Sequence, residues 1–359
     1  MMAPVQTDTA HAPPSSTTRA IGAAWSDPLT VGGLSLLVMI PLFFVDEIAD
    51  GGPLGLFGGE LLVVNLLLNW PHFMASYRLL YASPASVRTH WVAAIAVPLV
   101  LLVVLALCMA YWEYAGLPFD LLLLVGTAYT AWHYAGQTWG NMAAFAHLGG
   151  APFDDVERKL LRGSIVVMAI WLGALWWSRA ELQFLTPDEA ASVFSLLSLV
   201  APISVVGLAL GVVGFWRVKK RTGRLPPMNV LLAWVSLQVW LALLAKHPAA
   251  AFLVQGAHAL QYMPFVARVE SNRATVHRAL RVALWSLALV VVGYLVFRVL
   301  AGAMQDIAIA RDAPKSLVLA IPVAVTVFVN VHHYFTDGVL WKLRNPAVRR
   351  DLFRHLEAR

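Results

Sequence analysis

The chain has little charge and almost no cysteine. Asp, Glu, Lys and Arg make up 13% of its 359 residues against 59% hydrophobic, and the mean hydropathy is +0.69. Such a composition excludes an ordinary water-soluble domain, which needs about twice that share of charge to cover its surface. The lone cysteine, Cys108, excludes a disulfide framework and a thiolate metal site. Neither a G-x-S-x-G elbow nor an H-E-x-x-H helix occurs. Gly51, Gly52, Gly58 and Gly59 in "ADGGPLGLFGGE" read as an outside loop and do not form a phosphate-binding turn. No nucleic-acid motif accompanies the sequence pI of about 9.6, so a basic face beside anionic lipid accounts for it and no nucleic-acid partner is expected.

What is present is a series of apolar runs long enough to cross a hydrocarbon core as helices. Ten are expected, at 29–47, 60–81, 91–113, 120–147, 162–179, 190–215, 228–246, 249–267, 279–300 and 315–341. The fold class is all-α, a polytopic membrane helical bundle. Residues 1–28 are polar and rich in Pro, Ser, Thr and Ala, without the basic start and apolar run of a signal peptide, and read as a disordered tail. The transmembrane domain then covers 29–342, and 343–359 form a basic C-terminal segment. With the N-terminus inside, 21 of the 26 Lys and Arg fall on the inner side. The positive-inside rule therefore places both termini in the cytoplasm, in a multi-pass protein of the cell's inner (plasma) membrane with membrane lipids around it.

Ionisable side chains inside a span are costly and tend to mark function. Five histidines lie inside the expected spans, on the second, fourth, eighth and tenth: His72, His133, His258, His332 and His333. Helical rise puts His72 about 9 Å, His258 about 15 Å and the His332–His333 pair about 14 Å from the cytoplasmic ends of their helices. Polar companions share their faces at 100° per residue. Asn65, Asn69, His72 and Ser76 align, as do His133, Gln137, Asn141 and His147; Gln255, His258, Gln261 and Tyr262 cluster within a turn; Asn330, His333 and Asp337 align, while His332 points about 100° away.

Histidines with amides and a carboxylate around them fit a metal centre in which the imidazoles are ligands and the oxygens orient them. The candidate ligands are His72, His133, His258, His332 and His333. Asp337 is placed either to orient His333 or to bind the metal itself. Asp337, Tyr262 and Tyr334 are candidate catalytic side chains, and Gln137, Asn141 and Gln261 candidate cofactor-holding ones. Without thiolates the donor set favours iron, zinc, copper or manganese over an iron–sulfur cluster. Iron, mono- or dinuclear, suits oxidation of a lipid-soluble substrate such as a fatty acyl chain, a carotenoid or a quinone-like molecule. No reductase domain is visible, so any electron donor is a separate partner.

Three other readings use the same residues. His133 and His147, about 21 Å apart along one face, could each hold a b-type haem. The polar stripes could line a transport or proton pathway, although the ninth span, "LWSLALVVVGYLVFRVL", lacks the stripe an inverted repeat would give it. The polar groups could also bind no metal and simply hold helices together in a structural or assembly protein.

The stretches "NWPHF", "WHYAGQTWG", "GAHALQY" and "VHHYFTDGVLWK" loosely resemble the histidine-box integral-membrane non-haem iron oxygenases: the fatty-acid desaturases and hydroxylases and the bacterial β-carotene dioxygenases. The resemblance covers about fifty residues and the multi-pass architecture. It implies a membrane-embedded non-haem iron oxygenase. The H-x3-H, H-x4-H and H-x2-HH boxes of the desaturases do not occur in this chain, so no residue role is transferred from them.

Overall fold

The computed structural model describes residues 20–45, 63–114, 116–179, 202–274, 276–342 and 346–357, with Asp188, Ser192 and Ser195 besides. Residues 1–19, the 49–60 glycine loop, most of the 190–201 start of the sixth expected span, and Arg344 lie outside the described residues. The described chain is all-α. Its helices are α1 Ser26–Leu42, α2 Trp70–Leu80, α3 Pro84–Thr89, α4 Val92–Ala110, α5 Gly116–Leu148, α6 Asp155–Arg179, α7 Ile203–Thr222, α8 Met228–Lys246, α9 Ala251–Arg273, α10 Arg278–Ala310, α11 Lys315–Leu340 and α12 Pro346–Glu357.

Four of them, α4, α8, α10 and α11, are long and apolar enough to cross a membrane, and α1 is a shorter apolar helix. This is the pattern of a multi-pass membrane protein. Each of the ten expected spans overlaps a helix. Several are more polar than a simple hydrocarbon crossing, because α2, α5 and α9 carry the stripes of Asn, Gln and His.

Local sequence explains where helices bend and how closely they pack. Pro71 cannot donate to the carbonyl four residues earlier, and the helix widens into a π-turn, Asn65–Asn69, just before it. Asn69 Nδ2 donates to Asn65 Oδ1 at 3.0 Å across that turn. On α7 the glycines Gly207, Gly211 and Gly214 are buried; a Cβ at Gly211 would sit 2.3 Å from the Trp234 ring, and one at Gly214 2.7 Å from Leu161. These absent side chains bring α7 against α6 and α8.

The extramembrane ends are tied down by polar contacts. Asp154 and Glu157 form a reciprocal cap at the start of α6: Glu157 N–H donates to Asp154 Oδ1 at 2.7 Å and Asp154 N–H to Glu157 Oε2 at 2.9 Å. Arg221 from the end of α7 adds two bonds to Glu157, at 2.8 and 2.7 Å.

Both terminal segments are more structured than their composition suggests. The tail reading of 1–28 does not hold from Ala20 onward, because Asp27 accepts from the backbone N–H of Ile21 and Gly22 at 2.7 Å each and Arg268 donates to the Ile21 and Gly22 carbonyls. Ile21 is fully buried. The C-terminal segment folds as α12 and buries Leu352 and Phe353. Asn272 Nδ2 donates to the Asp351 carbonyl at 2.9 Å, and Arg273 pairs with Asp351 at 2.7 Å. Arg349, Arg350 and Arg354 stay exposed on its outer face.

For the site, the decisive feature is a ring of four helices. α11 packs on α2 and on α5, and α9 touches both α2 and α5.

Candidate metal centre

Each helix of that ring contributes one buried histidine: His72 from α2, His133 from α5, His258 from α9 and His333 from α11. Each has a ring nitrogen within 4.8 Å of one from every other. His133 Nε2 and His258 Nε2 are 3.0 Å apart. The rings meet edge to face, with centroids 4.4 Å apart for His72 and His333, 4.8 Å for His133 and His258, 4.9 Å for His133 and His333 and 5.1 Å for His72 and His258.

Five ring nitrogens in the cluster, both of His72, both of His333 and Nδ1 of His258, are buried with no hydrogen-bond partner among the described residues. Buried polar atoms are normally bonded, and each exception needs an explanation. Nitrogen donors bind a first-row metal at about 2.0–2.1 Å, which separates tetrahedral neighbours by about 3.3 Å and opposite ligands by about 4.1 Å. The spacings in the cluster bracket those values. The residues therefore fit a metal ion, which would take one nitrogen from each imidazole and open the His133–His258 contact slightly.

Asp337, one turn beyond His333, closes one side of the cluster. Its Oδ2 lies 3.4 Å from His333 Nε2 and 3.9 Å from His133 Nε2. Oδ1 accepts from Ser76 Oγ at 2.6 Å and Tyr262 OH at 3.2 Å. Ser76 Oγ and Tyr262 OH are 2.5 Å apart, and Trp341 Nε1 donates to Tyr262 OH at 2.8 Å. The Tyr262 ring lies edge-on to His72 at 4.3 Å. One carboxylate thus has an oxygen toward two histidines and an oxygen fixed by α2 and α9.

The other expected site residues surround the cluster at one remove. Gln137 Nε2 donates to the His258 carbonyl at 2.8 Å. Asn141 Nδ2 donates to Gln261 Oε1 at 3.1 Å, and Gln261 Nε2 to the Val31 carbonyl at 2.5 Å. These three amides join helices and do not reach the imidazoles. Tyr334 lies nearly parallel to His133, centroids 4.5 Å apart at 28°, its hydroxyl held by Thr130 Oγ1 at 2.8 Å and Asn330 Oδ1 at 3.0 Å.

His332 is the expected ligand that the fold keeps out. Its Nε2 lies 2.8 Å from the Ala93 carbonyl on α4 and its ring stacks on Tyr77 at 4.9 Å. The 100° turn between consecutive residues points His333 inward and His332 toward α4. His147, the second ring of a haem pair, is exposed and packs beside Phe353.

Sequence reasoning missed two parts of the network. Ser76 is visible on the His72 face, but only the fold shows that it reaches Asp337. Trp341 follows the last turn of α11, and its indole N–H turns back to Tyr262.

No family model, curated protein or solved structure matches this chain.

Proposed function

We propose that this chain is an integral-membrane, metal-dependent oxidoreductase acting on a lipid-soluble substrate, with non-haem iron held by His72, His133, His258 and His333. In this reading the chain crosses the inner membrane ten times, both termini face the cytoplasm, and a separate partner supplies electrons. The observation that carries the metal assignment is the convergence of one ring nitrogen from each of four buried histidines within 4.8 Å of one another, in a cluster where His72 has no hydrogen-bond partner among the described residues on either nitrogen. Histidines that only held helices together would spend those nitrogens on neighbouring carbonyls, as His332 does.

Iron is favoured because an imidazole-rich, thiolate-free set with one carboxylate nearby suits it, and because four histidines leave positions open on a six-coordinate ion. When bound, iron would supply one-electron redox chemistry. The chain's own groups do the rest. Ser76, Tyr262 and Trp341 hold Asp337, which faces His133 and His333 and fixes their orientation. Phe73, Tyr134, Tyr262 and Tyr334 pack against the imidazole rings and keep water away from the centre.

The haem alternative fits the geometry poorly. A porphyrin needs an open slot between axial imidazoles, whereas these rings touch one another edge to face, and His147 stands at the surface.

Purification in mild detergent, followed by elemental mass spectrometry and an absorption spectrum on the same sample, tests the reading. About one or two irons per chain without a Soret band are expected. A folded, metal-free and colourless protein overturns it.

A further inference from the structure

We propose that the side of the histidine cluster facing the N-terminal ends of its four helices binds the hydroxyl group of a neutral long-chain alcohol, held by Asn69, Thr130, Gln255 and Asn330. The inference rests on the oxidoreductase reading above and names the polar group of the substrate. It comes from a spacing that recurs on every helix of the ring.

Three residues before each cluster histidine stands an uncharged polar side chain: Asn69 before His72, Thr130 before His133, Gln255 before His258 and Asn330 before His333. Three residues are most of one turn, so each shares its histidine's face about 4.5 Å along the helix. Four residues after the histidines the same count gives Ser76, Gln137, Tyr262 and Asp337. The imidazoles therefore lie between two polar layers. The α4 span, by contrast, has no Ser, Thr, Asn, Gln or His.

The later layer ties all four helices together, because Ser76, Tyr262 and Asp337 bond one another and Gln137 Nε2 bonds the His258 carbonyl. The earlier layer ties only three. Thr130 Oγ1 and the Tyr334 hydroxyl are 2.8 Å apart, Tyr334 donates to Asn330 Oδ1 at 3.0 Å, and Gln255 Nε2 reaches the same oxygen at 3.4 Å, long for such a bond. Asn69 of α2 stands outside this chain. It is 4% exposed, its Nδ2 is spent on Asn65 in its own helix, and its Oδ1 has no partner among the described residues. A buried amide oxygen left in this way is costly and calls for a donor from a guest. The layer is not sealed, since Thr130 and Gln255 are half-buried where their sequence neighbours Ala131, Val254 and Gly256 are buried.

Charge and hydrogen-bonding capacity select the guest. In the two turns before the histidines none of the four helices carries Asp, Glu, Lys or Arg, so a carboxylate or phosphate would be buried with no cationic side chain to meet it. A carbonyl only accepts and leaves Asn69 Oδ1 unpaired. A hydroxyl donates to Asn69 and accepts from Gln255, and it would serve equally were the Asn69 amide turned over. The apolar spans around the ring suit a hydrocarbon chain on the rest of the molecule.

The test labels the full-length protein in mild detergent with cetyl alcohol carrying a diazirine near its hydroxyl and maps adducts by peptide mass spectrometry, with metal content measured on the same sample. Saturable labelling beside Asn69, Thr130, Gln255 and Asn330 is expected. Untagged cetyl alcohol should compete, and hexadecane, palmitic acid and the methyl ketone of the same length should not. Asn69→Leu removes the unpaired oxygen, so without alcohol it should unfold no earlier than wild type and keep its metal, while labelling falls at least about tenfold. Thr130→Val, a change of the same shape on another helix, should lower labelling too. Undiminished labelling in both variants makes these side chains packing residues and overturns the inference. Labelling that does not saturate, as in a layer that holds only water, or equal competition by any of the other three compounds, also overturns it. Saturable labelling of a metal-free protein overturns the metal-enzyme reading and leaves the alcohol site standing. A metal-loaded protein without localised labelling does the reverse.

Discussion

His133 Nε2 and His258 Nε2 meet at 3.0 Å although 125 residues separate them. One of the pair can donate to the other only if one ring carries its proton on Nε2, whereas a bound ion would draw both lone pairs inward. Metal binding should therefore be visible at this contact. Reconstitution with Co²⁺, a spectroscopic stand-in for the resident metal, is expected to give d–d bands of a nitrogen-rich site, and His258→Ala to shift or abolish them. Unchanged bands in that variant would remove His258 from the centre.

His332 and His333 provide an internal control, being adjacent, histidine and equally embedded in α11. His333→Ala should lose the metal. His332→Ala should retain it and lose only the contact to the Ala93 carbonyl and the stack on Tyr77, about 1–2 kcal/mol of stability. Metal stoichiometry and thermal unfolding of both variants decide the matter; equal metal loss would contradict the inward and outward assignment.

Much of this arrangement is legible in the sequence because a membrane makes polar residues conspicuous. Depth along a helix follows from counting residues to a basic end, and face follows from the 100° step, so the alignment of Asn330, His333 and Asp337 could be read directly. Rotation of a helix about its axis could not. Choosing between His332 and His333 requires knowing that the Ala93 carbonyl of α4 stands beside one of them. The docking of α12 was hidden by its charge. Leu352, Phe353 and Leu356 are spaced for one helical face, but Arg349, Arg350 and Arg354 beside them suggested a solvated end. The roles of Gln137, Asn141 and Gln261 depended on contacts with the His258 carbonyl and Val31, which no periodicity contains.

Asp337 tests whether the surroundings of the ring tune it. Asp337→Asn keeps an oxygen for Ser76 and Tyr262 but removes the carboxylate facing His133 and His333. Metal affinity should fall about 10–100-fold, the usual effect of losing a ligand's orienting partner. Chelator competition on wild type and variant measures it. An affinity unchanged in Asp337→Asn would reduce the carboxylate to a helix-joining group.

Glycine positions separate packing from space. Gly293 faces the Trp70 backbone, where a Cβ would lie 2.7 Å from the Trp70 Cβ and 3.3 Å from its carbonyl carbon. Gly293→Ala must push α10 away from α2 and should cost about 1–3 kcal/mol. Gly136→Ala meets nothing and should be neutral or stabilising by up to about 1 kcal/mol. Unfolding midpoints in one detergent compare them, and equal destabilisation would mean that the space beside α5 is filled.

Outside the spans, the cap on α6 should give the protein an acid limit. The Asp154 carboxyl is held below its usual 3.8 chiefly by the backbone N–H of Glu157, with Arg217 and Arg221 adding attraction. A carboxyl whose folded value is depressed binds its proton more readily in the unfolded chain. The stability it contributes is therefore complete above 3.8 and is lost as pH falls through the lower folded value. Asp154→Asn removes the ionised acceptor and should flatten the dependence of the unfolding midpoint on pH below 3.8 while lowering stability at neutral pH. A variant with the same acid slope as wild type would show that other carboxylates set the limit.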